Sequence, residues 1–373
     1  MPADQRSGAQ ADRSNPMKGF FQRGLTIAAM GVVCLQICPA ALAWNAHGHR
    51  IVARLAIDEL PADVPAFLRD PGVIERAVEE SGEPDRWRST RRTSIQHEDN
   101  QDHYLDVEDL AQFGLALQTL PRYRYEFVRA MALSAERHPE LLHPHRDEPD
   151  PDKIKQYCGF LPHAIMTSLA RLQSSFQTIR ILERLNDPSR AAQLELAKQN
   201  AIYQFGILAH FVGDASEPLH LTIHHHGWVG ENPNAYTTDH GFHAYVDGTI
   251  LDLHSLTYES VRDGRDSAFV IDAKDPWPQT LEYLQRSLDR VEPLYKLQKS
   301  GGLTREEGKA FISGCLRDGG RMLAGYVSIA WSSSSITDND VSNYIKYNEF
   351  RAGDVNPEAK SAPAPSGDSP PAK

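Results

Sequence analysis

Sixteen histidines are spread through the 373-residue chain, and several stand at intervals from aspartates that suit metal binding. His210 and Asp214 are four residues apart, about one helical turn, so both side chains share a face and can reach one ion. The stretch before them, Ile202 to Val212, is strongly apolar. Charged groups at the end of such a helix are costly unless they are paired or bound to a metal. Pro218 ends the helix and redirects the chain, placing His220 nearby on another line of approach. His243 and Asp247 repeat the spacing of four. Upstream lie His49, Asp85 with Arg88 three residues on, and His103 in the run His103-Tyr104-Leu105-Asp106. Imidazole and carboxylate are borderline and hard donors that suit Zn²⁺. His224, His225 and His226 read either as a further metal or phosphate site or as a solvated loop beside the cleft. His240 competes with His243 as a ligand, but only His243 has an aspartate four residues on.

Taken in order, these elements resemble the secreted trinuclear-zinc nucleases of the S-one/P-one type, which share a superfamily with zinc-dependent bacterial phospholipase C. The matching features are Trp44 closely followed by His49, Asp85 with Arg88, His103 to Asp106, then His210, Asp214 and His220, and last His243 with Asp247. The resemblance implies three zinc ions. Asp85, His103, His210 and Asp214 would hold one. Asp214 would bridge to a second, held by His49 and by the α-amino and carbonyl groups of Trp44. His220, His243 and Asp247 would hold the third. It further implies that Asp85 orients the attacking water, that Arg88 steadies a phosphate oxygen, and that Tyr104 and Asp106 lie near a bound base. The implied activity is endonucleolytic hydrolysis of single-stranded DNA or RNA to 5′-nucleotides, with 3′-nucleotidase activity as a side reaction. Two alternatives are a zinc-dependent phospholipase C and a non-catalytic secreted zinc-binding protein. Phospholipases of this type separate the Trp from the first His by more residues and usually close the last pair with Glu, whereas here the last pair ends in Asp247.

The segments around these residues are consistent with an exported hydrolase. Arg6, Arg13, Lys18 and Arg23 precede an apolar run from Leu25 to about Leu42, closed by Ala41-Leu42-Ala43. That layout reads as a secretory signal peptide over residues 1–43, cut before Trp44, and an uncleaved anchor is the weaker reading. Cleavage would free the Trp44 amine, so export and completion of a zinc site would be one event. The expected location is secreted or periplasmic, as a monomer with no stable membrane association. The whole chain carries a formal charge of −11, and loss of the basic leader makes it more negative. Such a surface does not attract nucleic acid by itself, so phosphate would have to be held by local positive charge. Three doubly charged ions outweigh the three aspartate ligands and would supply it. Two cysteines remain after the cut, Cys158 and Cys315. In an exported chain they read as one disulfide, with two separate buried thiols as the alternative.

The elements that must position these residues are mostly helical. Apolar residues recur at helical spacing in Ile51, Leu55, Ala56 and Leu60, in Phe127 and Met131, and along Leu161 to Leu185. A longer segment from about Pro188 to Val212 predicts a buried central helix. Thr304-Arg305-Glu306-Glu307 reads as a capping-box start for a last long helix. Phe242 to Leu251 is the best candidate for a short strand. The expectation is an all-α fold: one mainly helical domain over residues 44–351 with long loops, followed by a Pro/Ala/Ser-rich disordered tail over 352–373.

Overall fold

Asn45 starts the first helix: its side-chain oxygen accepts from the amides of His47 and Gly48, satisfying donors that the first turn leaves open. Helix α1 (Ala46–Asp58) then buries Ile51, Val52, Leu55 and Ala56 on one face. The computed structural model describes residues 44–90, 92–142, 154–263 and 267–348, all within one compact unit; the expected signal peptide (1–43) and the tail (352–373) lie outside the described residues. Short helices follow: α2 (Pro71–Glu80), α3 (Glu83–Ser89), α4 (Thr93–Asp99) and α5 (Arg124–Arg137). A 3-10 turn, Asn100–His103, continues from α4.

The centre is built by α6 (Leu161–Leu185) and α7 (Ala191–Asp214), which pack on each other. The last ten residues of α7, Phe205 to Asp214, are all buried. A helix apolar on every side has to lie inside the fold, and here α1, α2, α6 and α13 (Glu306–Ser332) pack around it. Each fully buried large apolar side chain, Phe205 or Leu208 for example, contributes roughly 1.5–3 kcal/mol, so the site at the end of α7 is held by the most heavily packed element. Between α7 and α13 come the 3-10 turn Pro218–Leu221, then α8 (Phe242–Ala244), the π-helical turn Tyr245–Thr249, α9 (Ile250–Leu253), α10 (Tyr258–Arg262), α11 (Trp277–Leu288) and α12 (Val291–Ser300). Helix α14 (Asp338–Asn348) packs on α6. The fold is all-α, with no strand among the described residues. No helix among them is long and apolar enough to cross a membrane.

Three local expectations are corrected. The segment from Phe242 to Leu251 is helical, not a strand. Its buried residues are Phe242, His243, Val246, Asp247, Ile250 and Leu251, which repeat every four positions. The polar His243 and Asp247 belong to the buried face, so an apolar/polar alternation misassigns them. Helix α13 begins one residue later than a Thr304 cap would set it. Gly301, at φ 71°, ends α12 in the left-handed region, and the 3-10 turn Gly302–Thr304 uses Thr304 before α13 starts. Its hydroxyl bonds the Gly301 carbonyl at 3.2 Å. Finally, Cys158 and Cys315 are free buried thiols, not a disulfide. They have different neighbours: Cys158 lies 3.6 Å from Met131 Sδ, and Cys315, on α13, lies 3.7 Å from Arg290 Nη1. Burial raises the pKa of the Cys315 thiol to about 12, which keeps it protonated and unreactive.

Candidate metal centre

The buried end of α7 presents His210 and Asp214 on one face, as their spacing requires. His210 Nδ1 donates to the Ser81 carbonyl at 2.8 Å, which fixes the tautomer and leaves the Nε2 lone pair directed inward. That Nε2 lies 3.4 Å from Asp214 Oδ2 and 4.0 Å from Asp85 Oδ1. His103 enters from the turn after α4. Its Nδ1 is 3.1 Å from Asp214 Oδ2 and 3.0 Å from His210 Nε2, and its Nε2 meets Asp99 Oδ2 at 3.2 Å. Two ring nitrogens at 3.0 Å share one direction, the arrangement of donors converging on a common point. From α1, His49 stacks on the His210 ring, with centroids 4.0 Å apart, and points Nε2 at Asp214 Oδ1 at 3.3 Å. This approach needs Gly213, since a Cβ there would sit 2.7 Å from His49 Nδ1.

A second cluster lies one turn further along the chain. His220 Nδ1 donates to the His103 carbonyl at 2.5 Å, so its Nε2 faces inward. His243 Nε2 is 3.3 Å from Asp247 Oδ2 and 3.7 Å from Glu217 Oε2. The π-helical turn falls on Asp247, a distortion that often marks functional positions. Three donor groups result: His49, Asp85 and His210; His103, His210 and Asp214; and Glu217, His220, His243 and Asp247. Within each, the donor atoms lie within 4.8 Å of one another, and every residue is buried.

These donors suit a cation. His49 Nδ1 and Nε2, Asp85 Oδ1, Asp214 Oδ1, His220 Nε2, both nitrogens of His243 and both oxygens of Asp247 and Glu217 are buried without a hydrogen bond. So many unmet polar atoms in one place would each be costly in a fold with nothing to bind them. Burial holds the imidazoles neutral: His49 is lowered to about 4, His220 to about 3, and His103, His210 and His243 fall well below the usual histidine range. Neutral imidazole is the ligating form. The same burial raises the carboxyls: Asp85 to about 6, and Asp214 and Asp247 well above the aspartate range. A bound cation would reverse that cost. The chain therefore holds buried His/Asp/Glu groups at metal-binding distance.

The residues singled out in the sequence are distributed as follows. His49, Asp85, His103, His210, Asp214, His220, His243 and Asp247 converge. Trp44 is fully buried beside them: its indole donates to Ser216 Oγ at 2.9 Å, and the next amide, Asn45 N, donates to the Asp247 carbonyl. Arg88 stands at the rim, 3.7 Å from Asp85 Oδ1. Tyr104 and Asp106 are half-buried on the segment that pairs with His220, through the bond from Leu105 N to the His220 carbonyl. His225 joins Asp106, at 3.6 Å, to the neighbourhood of His243, with ring centroids 5.9 Å apart. His226 also flanks His243, whereas His224 stacks flat on Trp228. None of the three belongs to a donor group among the described residues. His240 is exposed and His243 is the residue that joins the cluster.

Two residues of these clusters were not singled out in the sequence. Asp99 orients His103, and it stands four residues before it, the same spacing that marked the other pairs. Glu217 sits in the second cluster, and the available signal was an acidic residue three positions after Asp214 and directly before Pro218.

No family model matches this chain, and no curated protein matches it.

Proposed function

We propose that this protein is a zinc-dependent phosphodiester hydrolase of the S-one/P-one type that cleaves single-stranded nucleic acid. The observation that carries the reading is the convergence of eight donors on three buried groups, two of which share His210, with Asp214 facing His49, His103 and His210 at once. Three zinc ions are the proposed complement, with the Trp44 amine completing one site after cleavage of the leader.

When bound, zinc supplies Lewis acidity toward phosphoryl oxygens and acidifies an attacking water. The protein's own groups do the positioning. The Ser81 and His103 carbonyls and the Asp99 carboxylate lock three imidazoles in the tautomer that turns a lone pair inward. Asp85 orients the attacking water from the inner side of α3. Arg88, three residues on and partly exposed, holds a phosphate oxygen and meets the charge that builds on it during displacement. Asp106 and Tyr104 line the approach and receive a base. Asp247 as the last ligand, rather than a glutamate, favours a nuclease over a phospholipase C.

The test pairs two assays on the protein purified with its N-terminus sequenced. Release of mononucleotides from single-stranded DNA or RNA, without diglyceride from lecithin, supports the reading. Diglyceride alone would transfer it to the phospholipases. Hydrolysis of neither substrate by zinc-loaded protein beginning at Trp44 would leave a zinc-binding protein without this activity.

A further inference from the structure

Glu217 is fully buried, and its position next to Asp247 and His243 calls for a compensating charge. It follows Asp214 by three residues, with its amide bonded to the Asp214 carbonyl at 3.0 Å, and Pro218 behind it fixes the turn. Neither carboxylate oxygen closes a hydrogen bond. Oε2 lies 3.7 Å from His243 Nε2, and the donor atoms of Glu217, His220, His243 and Asp247 all lie within 4.8 Å of one another. Two carboxyl groups and two imidazoles make a four-donor cage whose two acids a divalent cation would balance once they ionise.

Donor number separates two kinds of zinc site. Four protein ligands close the tetrahedron and make a structural site, whereas three leave a position for water or substrate. The group around Glu217 contains four side chains, one more than His220, His243 and Asp247 alone supply. Resting on the metal-centre reading above, we propose that Glu217 is a fourth protein ligand that closes the site of His220, His243 and Asp247 around one tightly held zinc ion. This closed ion ties the Pro218–Leu221 turn to the α8–α9 segment, beside the donors around Asp214.

The experiment measures zinc content after graded dialysis against dipicolinate, on wild-type protein and Glu217→Gln, with circular dichroism confirming the fold. The expected wild-type result is stepwise loss that leaves one resistant ion per chain. In Glu217→Gln that ion should bind more weakly by more than about 100-fold, beyond the 10–100-fold typical of an outer-sphere partner. Equal retention by the two proteins would overturn the proposal and leave the metal centre standing. Zinc-free wild-type protein after zinc loading would overturn both. A second readout needs no variant: the first Co²⁺ equivalent added to the wild-type apoprotein should give the intense visible bands of a four-coordinate ion. Weak bands of a five- or six-coordinate ion would overturn the proposal even if Glu217→Gln failed to fold.

Discussion

Asp99 Oδ2 receives His103 Nε2 at 3.2 Å, while the opposite nitrogen of the same ring faces Asp214 Oδ2 at 3.1 Å. A ring held on one side by a carboxylate presents its lone pair on the other, the usual way an outer partner sets a ligating histidine. Asp99 is itself mostly buried, and burial followed by repulsion from Asp102 raises its carboxyl to about 8. Its charge is thus costly in the metal-free protein and favourable when the His103 ring is polarised by a cation.

Asp99→Asn keeps an acceptor but loses the charge, and Asp99→Ala loses both. Zinc affinity is expected to fall about 10-fold in the first and nearer 100-fold in the second, with the helical signal unchanged. Competition against a chromogenic chelator measures this. Wild-type affinity in Asp99→Ala would show that the contact does not orient the ligand.

Gly213→Ala tests the close approach of α1 to α7. The added methyl falls 2.7 Å from His49 Nδ1, so the ring must move away from Asp214. One ion per chain should be lost, and turnover should fall roughly 10²-fold, the scale set by a displacement of about 1 Å in a catalytic group. Metal analysis beside a single-stranded DNA assay reads both. Full zinc loading with unchanged turnover would contradict the geometry.

Arg88→Ala separates metal binding from charge stabilisation. The guanidinium stands at the rim 3.7 Å from Asp85, and removing it leaves the inner donors in place. Turnover is expected to drop about 10²–10³-fold, as when a transition-state donor is deleted, with zinc content retained. A loss of zinc equal to the loss of activity would assign Arg88 a structural role instead.

His163 offers a pH prediction away from the metal. On α6 it bonds the Pro121 carbonyl through Nε2 and stacks on Phe127, and burial lowers it from 6.5 to about 4. The unfolded chain takes up its proton near 6.5, whereas the folded protein resists until about 4. Stability from this group is therefore complete above pH 6.5 and is lost as pH falls toward 4, up to about 3 kcal/mol. In His163→Gln that part of the acid sensitivity should vanish, so urea midpoints of wild type and variant should converge between pH 7.5 and pH 5. Parallel curves over that interval would rule it out.

Much of the helical frame is visible in periodicity because burial imposes it. The helix predicted over Leu161 to Leu185 has those bounds, and the apolar run before His210 is the buried end of α7. The His243–Asp247 segment escaped the same reading because its polar residues face inward. Hydropathy counts a ligand as a surface residue, so a functional site breaks the pattern that reveals the core.

The amino-acid sequence by itself determined the all-α class and the spacing that sets His210 with Asp214 and His243 with Asp247 on common faces, since both follow from local backbone geometry. Only the tertiary structure decided which distant segments meet. It placed His49 on His210 through Gly213, set Asp99 behind His103, kept Cys158 and Cys315 apart as free thiols, and turned Glu217 toward His243. Those contacts join residues far apart in the chain or across a turn, and they depend on how helices pack around α7. The periodicity of any single helix carries no record of that packing.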